Sequence, residues 1–280
     1  METVVPLRSD RPAAAAAAPV RVVLRGLCKV FGAGAADDEV MAVDHVDLDI
    51  RRGEFVTIVG PSGCGKSTLL NIVAGLEQPT GGEILMDGQP AEDRRRFFAY
   101  MFQKDLLFPW RTIRDNVAVG LEVQHVPRRE ARERATAILA RFGLDGFAGK
   151  YPAQLSGGMR QRVALMRTLL CDREVLLLDE PFGALDAMTR AVMQEWLLGI
   201  WEADHRTILF ITHDIEEAIF LSDRVVMMSA RPGRIKGQVD IRLDRPRHHG
   251  IVTAPEFTRL KKEILDQMYE ESLIAAATVA

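Results

Sequence analysis

"FVTIVGPSGCGKSTLLNIVAGL", Phe55 to Leu76, is the stretch whose reading decides the fold. Its first five residues are apolar without alternation, the pattern of a strand covered on both faces. Its second half, from Ser67 on, reads as a helix. Between them "GPSGCGKS", Gly60 to Ser67, fits G-x-x-x-x-G-K-[ST] in full. Strand, glycine loop and helix together cradle a polyphosphate. The glycines let backbone approach, N–H groups point inward, and the helix N-terminus carries partial positive charge. Lys66 would reach the β- and γ-phosphates, and Ser67 would offer a hydroxyl to Mg²⁺. A chance glycine-rich turn is the competing reading, and the flanking strand and helix speak against it.

Working outward, "EVLLLDE" (Glu174–Glu180), "TILFITH" (Thr207–His213) and "RVVMMS" (Arg224–Ser229) repeat the continuous apolar pattern. Helical patterns separate them, so the order is that of an α/β fold with a parallel sheet. Met188, Val192, Trp196 and Ile200 recur every four residues and predict one apolar helix stripe. From about Asp105 to Leu170 no strand pattern is visible, and "PRREARERATAILARFGL" (Pro127–Leu144) is charged and helical. This middle part reads as a helical subdomain inserted into the α/β core. Phe257, Leu260, Ile264 and Met268 predict an amphipathic C-terminal helix over Pro255–Ala280. It either packs back on the domain or meets a partner.

Acidic residues stand at strand tips, where ligands bind in open α/β sheets. Asp179 ends "VLLL" and is the natural magnesium holder, while Glu180 follows it at once. Adjacent strand positions point to opposite sides, so Glu180 would face an attacking water as general base. A solvated acidic pair at a strand end is the bland alternative. His213 tops another strand and would sit near the γ-phosphate; a lone His is more often structural. Gln103, after "AYMF", is a neutral amide able to bind both Mg²⁺ and water. "LSGGMRQR", Leu155 to Arg162, is a second turn opening a helix and likewise suits an anion.

Composition narrows the classes. With 280 residues there is ample core for one large domain or two small ones. The net charge of −3 argues against a nucleic-acid partner. No apolar run approaches the ~20 residues that span a bilayer, so a membrane role would be peripheral. Cys28, Cys64 and Cys171 are scattered, with no C-x-x-C, which suggests neither a disulfide framework nor a zinc site and fits a reducing cytoplasm. The start, with six consecutive alanines, reads as a disordered tail over 1–19 rather than a secretory signal.

Together these motifs resemble the ATPase subunit of ABC transporters, from roughly Val20 to Asp240. The resemblance implies a P-loop NTPase core: a mostly parallel sheet with flanking helices, an N-terminal antiparallel β part and an inserted helical subdomain. It divides the chain into the tail 1–19, the ATPase domain 20–242 (helical subdomain about 104–170) and a C-terminal helical extension 243–280. It implies ATP and Mg²⁺ as ligands. ATP would be held by Gly60, Pro61, Ser62, Gly63, Cys64, Gly65, Lys66, Ser67, Thr68 and Gln103, with Phe31 of "KVFG" stacked on adenine. "GAGAADDE" (Gly32–Glu39) looks like an insertion after that ring. The metal would be held by Ser67, Gln103 and Asp179, with Glu180 and His213 catalytic. Asp186 of "GALD" would belong to the D-loop.

The resemblance also gives "LSGGMRQR" a task. Two subunits of the family pack head to tail, so Ser156, Gly157, Gly158 and Gln161 would read the partner chain's ATP. It implies a second ATPase subunit, with a homodimer as the expectation and a paralogue as the alternative. It further implies transmembrane permease subunits, a periplasmic or extracellular solute-binding protein, and a peripheral place on the cytoplasmic face of the inner membrane. "FQKDLLFPWRTIRDNV" (Phe102–Val117) and "THDIEEAIFLSDRVVMMSARPGRI" (Thr212–Ile235) resemble the nitrate/sulfonate/taurine import group. Phe108 departs from it, standing where that group often has Leu. Leu106–Trp110 is either a groove for the membrane partner or core of the helical subdomain. A soluble ABC protein of DNA repair or translation, or an exporter motor, is the alternative function; the single nucleotide domain and the lack of a coiled-coil insertion speak against the first.

Overall fold

The computed structural model describes residues 18–32, 39–91 and 93–279. Most of the Ala-rich tail expected over 1–19, and residues 33–38 of the expected insertion, lie outside the described residues. In chain order the strands are β1 (Val20–Phe31), β2 (Val40–Arg51), β3 (Phe55–Val59), β4 (Gly81–Met86), β5 (Gln89–Pro90), β6 (Phe98–Met101), β7 (Val175–Asp179), β8 (Thr207–Thr212), β9 (Arg224–Met228) and β10 (Ile235–Asp240). The helices are α1 (Lys66–Ala74), α2 (Ile113–Val123), α3 (Arg128–Arg141), α4 (Gly157–Leu169), α5 (Ala187–Asp204), α6 (Ile215–Leu221) and α7 (Pro255–Val279).

The strands form two sheets. One is antiparallel, in the order β2-β1-β4-β5; the other runs β10-β9-β3-β8-β7-β6. In the second sheet only the edge pair β10–β9 is antiparallel. This is the expected α/β architecture with its antiparallel N-terminal part. Every residue of β3, β7 and β8 is buried, because both faces of the sheet are covered. Alternate residues feed two cores. Val56 and Ile58 join Leu177, Leu209 and α1 under the antiparallel sheet. Phe55 and Val59 join Leu176, Leu178 and the remaining helices on the other side. A continuous apolar run is what such two-sided burial requires.

Residues 104–170 contain α2, α3, α4 and short 3-10 turns, and no strand among them. Their apolar side chains, including Ile113, Val117, Leu139 and Val163, belong to the same core cluster as Leu178. The α5 stripe needs correction. Met188 is 79% exposed and Val192 67%, while Met193, Leu197, Leu198 and Trp201 are buried. Steps of four residues overshoot a 3.6-residue turn by ~40° each, so a period-four row winds off the buried face. The C-terminal helix does pack back: Phe257, Leu260, Ile264 and Met268 are buried in the second core.

A side chain that carried no motif ties the segment before this helix to the end of α6. Arg247 is buried, and its Nη1 donates to the carbonyls of Ile219 (3.1 Å), Phe220 (3.0 Å) and Ser222 (2.8 Å). Nη2 donates to Ile241 (3.4 Å) and Leu243 (3.2 Å). One guanidinium thereby satisfies carbonyls at the end of α6 that lack helix partners. Arg247→Met keeps apolar bulk and leaves those acceptors unpaired. It should lower the stability by about 2–4 kcal/mol, read as a lower urea midpoint with the denaturant slope unchanged.

Candidate functional site

The loop Gly60–Gly65 leaves the tip of β3 and enters α1. Two of its glycines are in the left-handed region, Gly63 at φ 76° and Gly65 at φ 106°. Gly65 is also pressed against β2: a Cβ there would lie 2.4 Å from the Ala42 carbonyl oxygen. Side chains are therefore excluded, and the first N–H groups of α1 stay open for an anion. Lys66 is buried and folds back over the loop, its Nζ donating to Gly60 (2.7 Å) and Pro61 (2.9 Å) carbonyls. Pro61, Ser62, Cys64, Ser67 and Thr68 complete this loop and first turn as expected. Burial pushes the Cys64 thiol up, which makes it inert packing.

Asp179 ends β7 beside this turn. It is buried, and burial raises its carboxyl above the usual range while a hydrogen bond with Ser67 opposes the rise. Its Oδ1 is buried with no protein partner. An orphaned carboxylate oxygen next to a hydroxyl is the donor set a hard divalent cation takes, so these residues fit Mg²⁺.

Glu180, Gln103 and His213, far apart in sequence, meet. Gln103 Nε2 donates to Glu180 Oε2 at 3.3 Å, and His213 Nδ1 lies 3.4 Å from the same oxygen. The separation of Glu180 from Asp179 has a different origin from strand alternation. β7 stops at Asp179, and Glu180 sits in the left-handed region at φ 47°. A β-carbon makes that conformation costly, so surrounding bonds must impose it. The Glu180 N–H donates to Ile211 (3.0 Å), and its carbonyl accepts from Gln161 Nε2 (2.9 Å).

That bond gives Gln161 a task within its own chain. It is buried, and its Oε1 accepts from the Ala184 N–H at 2.7 Å, so its amide is spent within its own chain. It clamps the loop after β7 to α4. Ser156 and Gly157 are exposed at the start of α4, and Gly158 is half-buried. Ser156 caps the helix, its Oγ accepting from the Met159 N–H at 3.3 Å. Among the described residues no hydrogen bond or ion pair joins Ser156–Gly158 to the loop Gly60–Thr68. Asp186 caps α5 through the Thr189 N–H (3.0 Å), which holds its carboxyl below the usual range. Phe31 ends β1 with its ring 41% exposed, paired across the sheet with Val40 and with Lys29 Nζ 4.9 Å from the ring centre.

Two arginines that carried no expectation join α4 to the segment after Gln103. Arg160 pairs with Asp105 at 2.9 Å, and Arg167 donates to the Asp105 and Leu106 carbonyls at 2.8 Å. Their spacing of seven on one helix face was the available signal. The Leu106–Trp110 stretch splits between its two readings. Leu107 is buried in the core, while Leu106 and Trp110 are exposed, Trp110 by 73%.

Comparison with known proteins agrees with this geometry. Residues 43–183 match the family model described as ABC transporter. An uncharacterized ABC transporter ATP-binding protein of Methanocaldococcus jannaschii is 46% identical over 254 residues, covering 91% of this chain and 93% of the relative. The aliphatic sulfonates import ATP-binding protein SsuB of Bacillus cereus is 43% identical over 253 residues, 90% of this chain and 98% of that one. A solved dimeric ATP-binding cassette in a post-hydrolysis state, bound to ADP and Pi, shares 34% identity with a TM-score of 0.72, covering 80% of this chain and all of that one. Matched across the phosphate loop, Gln103, the Ser156 turn and Asp179–Glu180, and over nearly the full length of its relatives, this chain belongs to the ABC transporter family as an ATP-binding subunit, an ATPase.

Proposed function

We propose that this ATPase is the motor of an importer. It would energise uptake of a solute of the nitrate, sulfonate or taurine type through separate permease subunits, supplied by an external solute-binding protein, from the cytoplasmic face of the membrane. The observation that carries the ATPase half is the meeting of Gln103, Glu180 and His213 on one carboxylate oxygen. The import half rests on the likeness to proteins named for aliphatic sulfonate import.

The residues divide the work. The loop Gly60–Thr68 binds the phosphate chain, Lys66 neutralising the β- and γ-phosphates and Phe31 covering the base. Asp179, Ser67 and Gln103 would hold Mg²⁺, which would supply positive charge to the phosphate oxygens. Glu180 accepts the proton of the attacking water as its oxygen bonds to the γ-phosphorus and ADP leaves. His213 and Gln103 hold the acceptor oxygen of Glu180 in place. Ser156 accepts a bond from its own helix, which leaves its hydroxyl proton free to donate to a partner chain's γ-phosphate. With Gly157 and Gly158 it presents a helix N-terminus to that phosphate. ATP would then join two copies head to tail, and hydrolysis would release them. Exposed Leu106, tied to α4 through Arg167, and exposed Trp110 offer apolar surface to a permease in the segment after Gln103.

Two experiments test this reading. Glu180→Gln is nearly isosteric but cannot take a proton, so ATP affinity should persist while hydrolysis falls about 10²- to 10⁴-fold. ATP should then trap a dimer visible by size exclusion, and near-normal turnover would place the base elsewhere. In the second, Ser156→Arg and Lys66→Ala chains, each inactive alone, are co-expressed with different tags. The mixed dimer holds one site with neither lesion, so ATP-dependent closure should return. Inter-chain cysteine cross-links between the phosphate-loop flank and the Ser156 turn should likewise need ATP. Cross-linking confined to single chains would end the shared-site reading.

A further inference from the structure

The turn between β9 and β10, "SARPGR" from Ser229 to Arg234, touches three parts of the molecule at once. It touches the phosphate loop. Arg231 donates to the Gly63 carbonyl from Nη2 (3.1 Å) and Nε (3.3 Å). Gly233 lies so close that a Cβ would stand 2.2 Å from the Cys64 carbonyl oxygen. It touches β2: the Gly233 N–H donates to Ala42 (3.1 Å), the Asp44 N–H donates to Gly233 (3.0 Å), and Arg234 Nε donates to Asp44 Oδ2 (2.6 Å). It touches the C-terminal helix through the buried Glu271, whose Oε2 accepts from the Ala230 N–H and Oε1 from Lys236 Nζ, both at 2.8 Å.

The peptide joining Gly63 to Cys64 is thereby held at both ends. Arg231 holds its carbonyl, and its N–H donates to the Pro61 carbonyl at 3.3 Å. Gly63 stands at φ 76° and, as a glycine, would otherwise range widely. The cradle works only if its N–H groups keep their direction, and a peptide flip at Gly63 would spoil it. Within the turn, Ser229 Oγ accepts from the Arg234 N–H (3.0 Å) and bonds the Pro232 carbonyl (3.0 Å), so the turn moves as a unit.

We propose that Arg231 and Glu271 are positioning residues for ATP binding: the C-terminal helix, acting through Glu271 and the 229–234 turn, holds the phosphate loop in its binding conformation. This assigns α7 a part in nucleotide affinity, and it rests on the reading of Gly60–Thr68 as the ATP site. Neither side chain need touch ATP.

The full-length chain is titrated with a fluorescent ATP analogue, and KM, kcat and melting temperature are measured beside it. Arg231→Ala alters an exposed side chain, so the melting temperature should hold while ATP affinity falls about 3- to 10-fold. KM should rise with kcat at saturating ATP retained. Arg231→Lys, which keeps a donor for Gly63, should recover most of the loss. Glu271→Ala should weaken ATP by a similar factor, and Glu271→Gln, which keeps one acceptor for Ala230, by less. The double variant Arg231→Ala with Glu271→Ala should bind no worse than the weaker single, since both act on one latch. Losses that multiply in the double variant, or a fall in melting temperature with ATP affinity unmoved, would overturn the proposal. Lys66→Ala, measured alongside, separates the two readings. Retained ATP affinity there sinks the site itself, whereas lost affinity there with Arg231→Ala unchanged sinks only the latch.

Discussion

A parallel sheet covered on both faces leaves very little backbone at which chemistry can occur. In β3, β7 and β8 every side chain is buried, and a buried unpaired polar group costs a few kcal/mol. Polar work is pushed to the carboxyl tips, where the strands end and the chain turns outward. Gly60, Asp179 and Thr212 close three of these strands side by side, because β8 pairs with both β3 and β7. Residues more than a hundred positions apart therefore share one edge. The positions of the phosphate loop and Asp179, and the meeting of Gln103 and His213 at Glu180, follow from that arrangement.

Glu180 shows what the tips add beyond proximity. Its left-handed backbone turns the side chain away from the line of β7, and its bonds to the Ile211 carbonyl and from Gln161 hold it there. Strain of this kind persists only where surrounding structure over-determines it. Here the restraint comes from α4, whose first turn also carries Ser156. The Ser156 turn and the backbone of Glu180 are thus tied to one helix, with Gln161 as the joint. Arg160 and Arg167 add a second joint, from the same helix to the segment after Gln103. Short, mostly part-buried bonds rather than a flexible linker connect the two ends.

The phosphate loop is fastened in a similar way from the opposite side. Gly65 against Ala42 and Gly233 against Cys64 are approaches that no side chain tolerates, and Arg231 on Gly63 and Glu271 on Ala230 add polar bonds around them. The antiparallel sheet, the β9–β10 turn and the C-terminal helix are consequently supports of the loop as well as layers of the core.

Local patterns determined a good deal by themselves. Continuous apolar runs identified β3, β7, β8 and β9 to within a residue or two, because two-sided burial leaves a mark in every position of a strand. The glycine loop was legible because its spacing, its lysine and its flanking elements are all local. The Phe257–Met268 stripe was legible because its steps of three, four and four average close to a helical turn and so stay on one face. The Met188–Ile200 row failed for the converse reason, since strict fours drift around the helix and only tertiary contact shows which face is covered. The fate of Gln161 was out of reach too. An amide in a motif reads as a ligand contact, and only the folded chain brings Glu180 and Ala184 close enough to consume it. Arg247 and Glu271 carry no periodicity or motif, and Arg231 sits in a family-like stretch that assigns it no role. What they do depends on backbone groups far away in sequence, and such groups acquire an address only when the sheet, the turn and the last helix have come together.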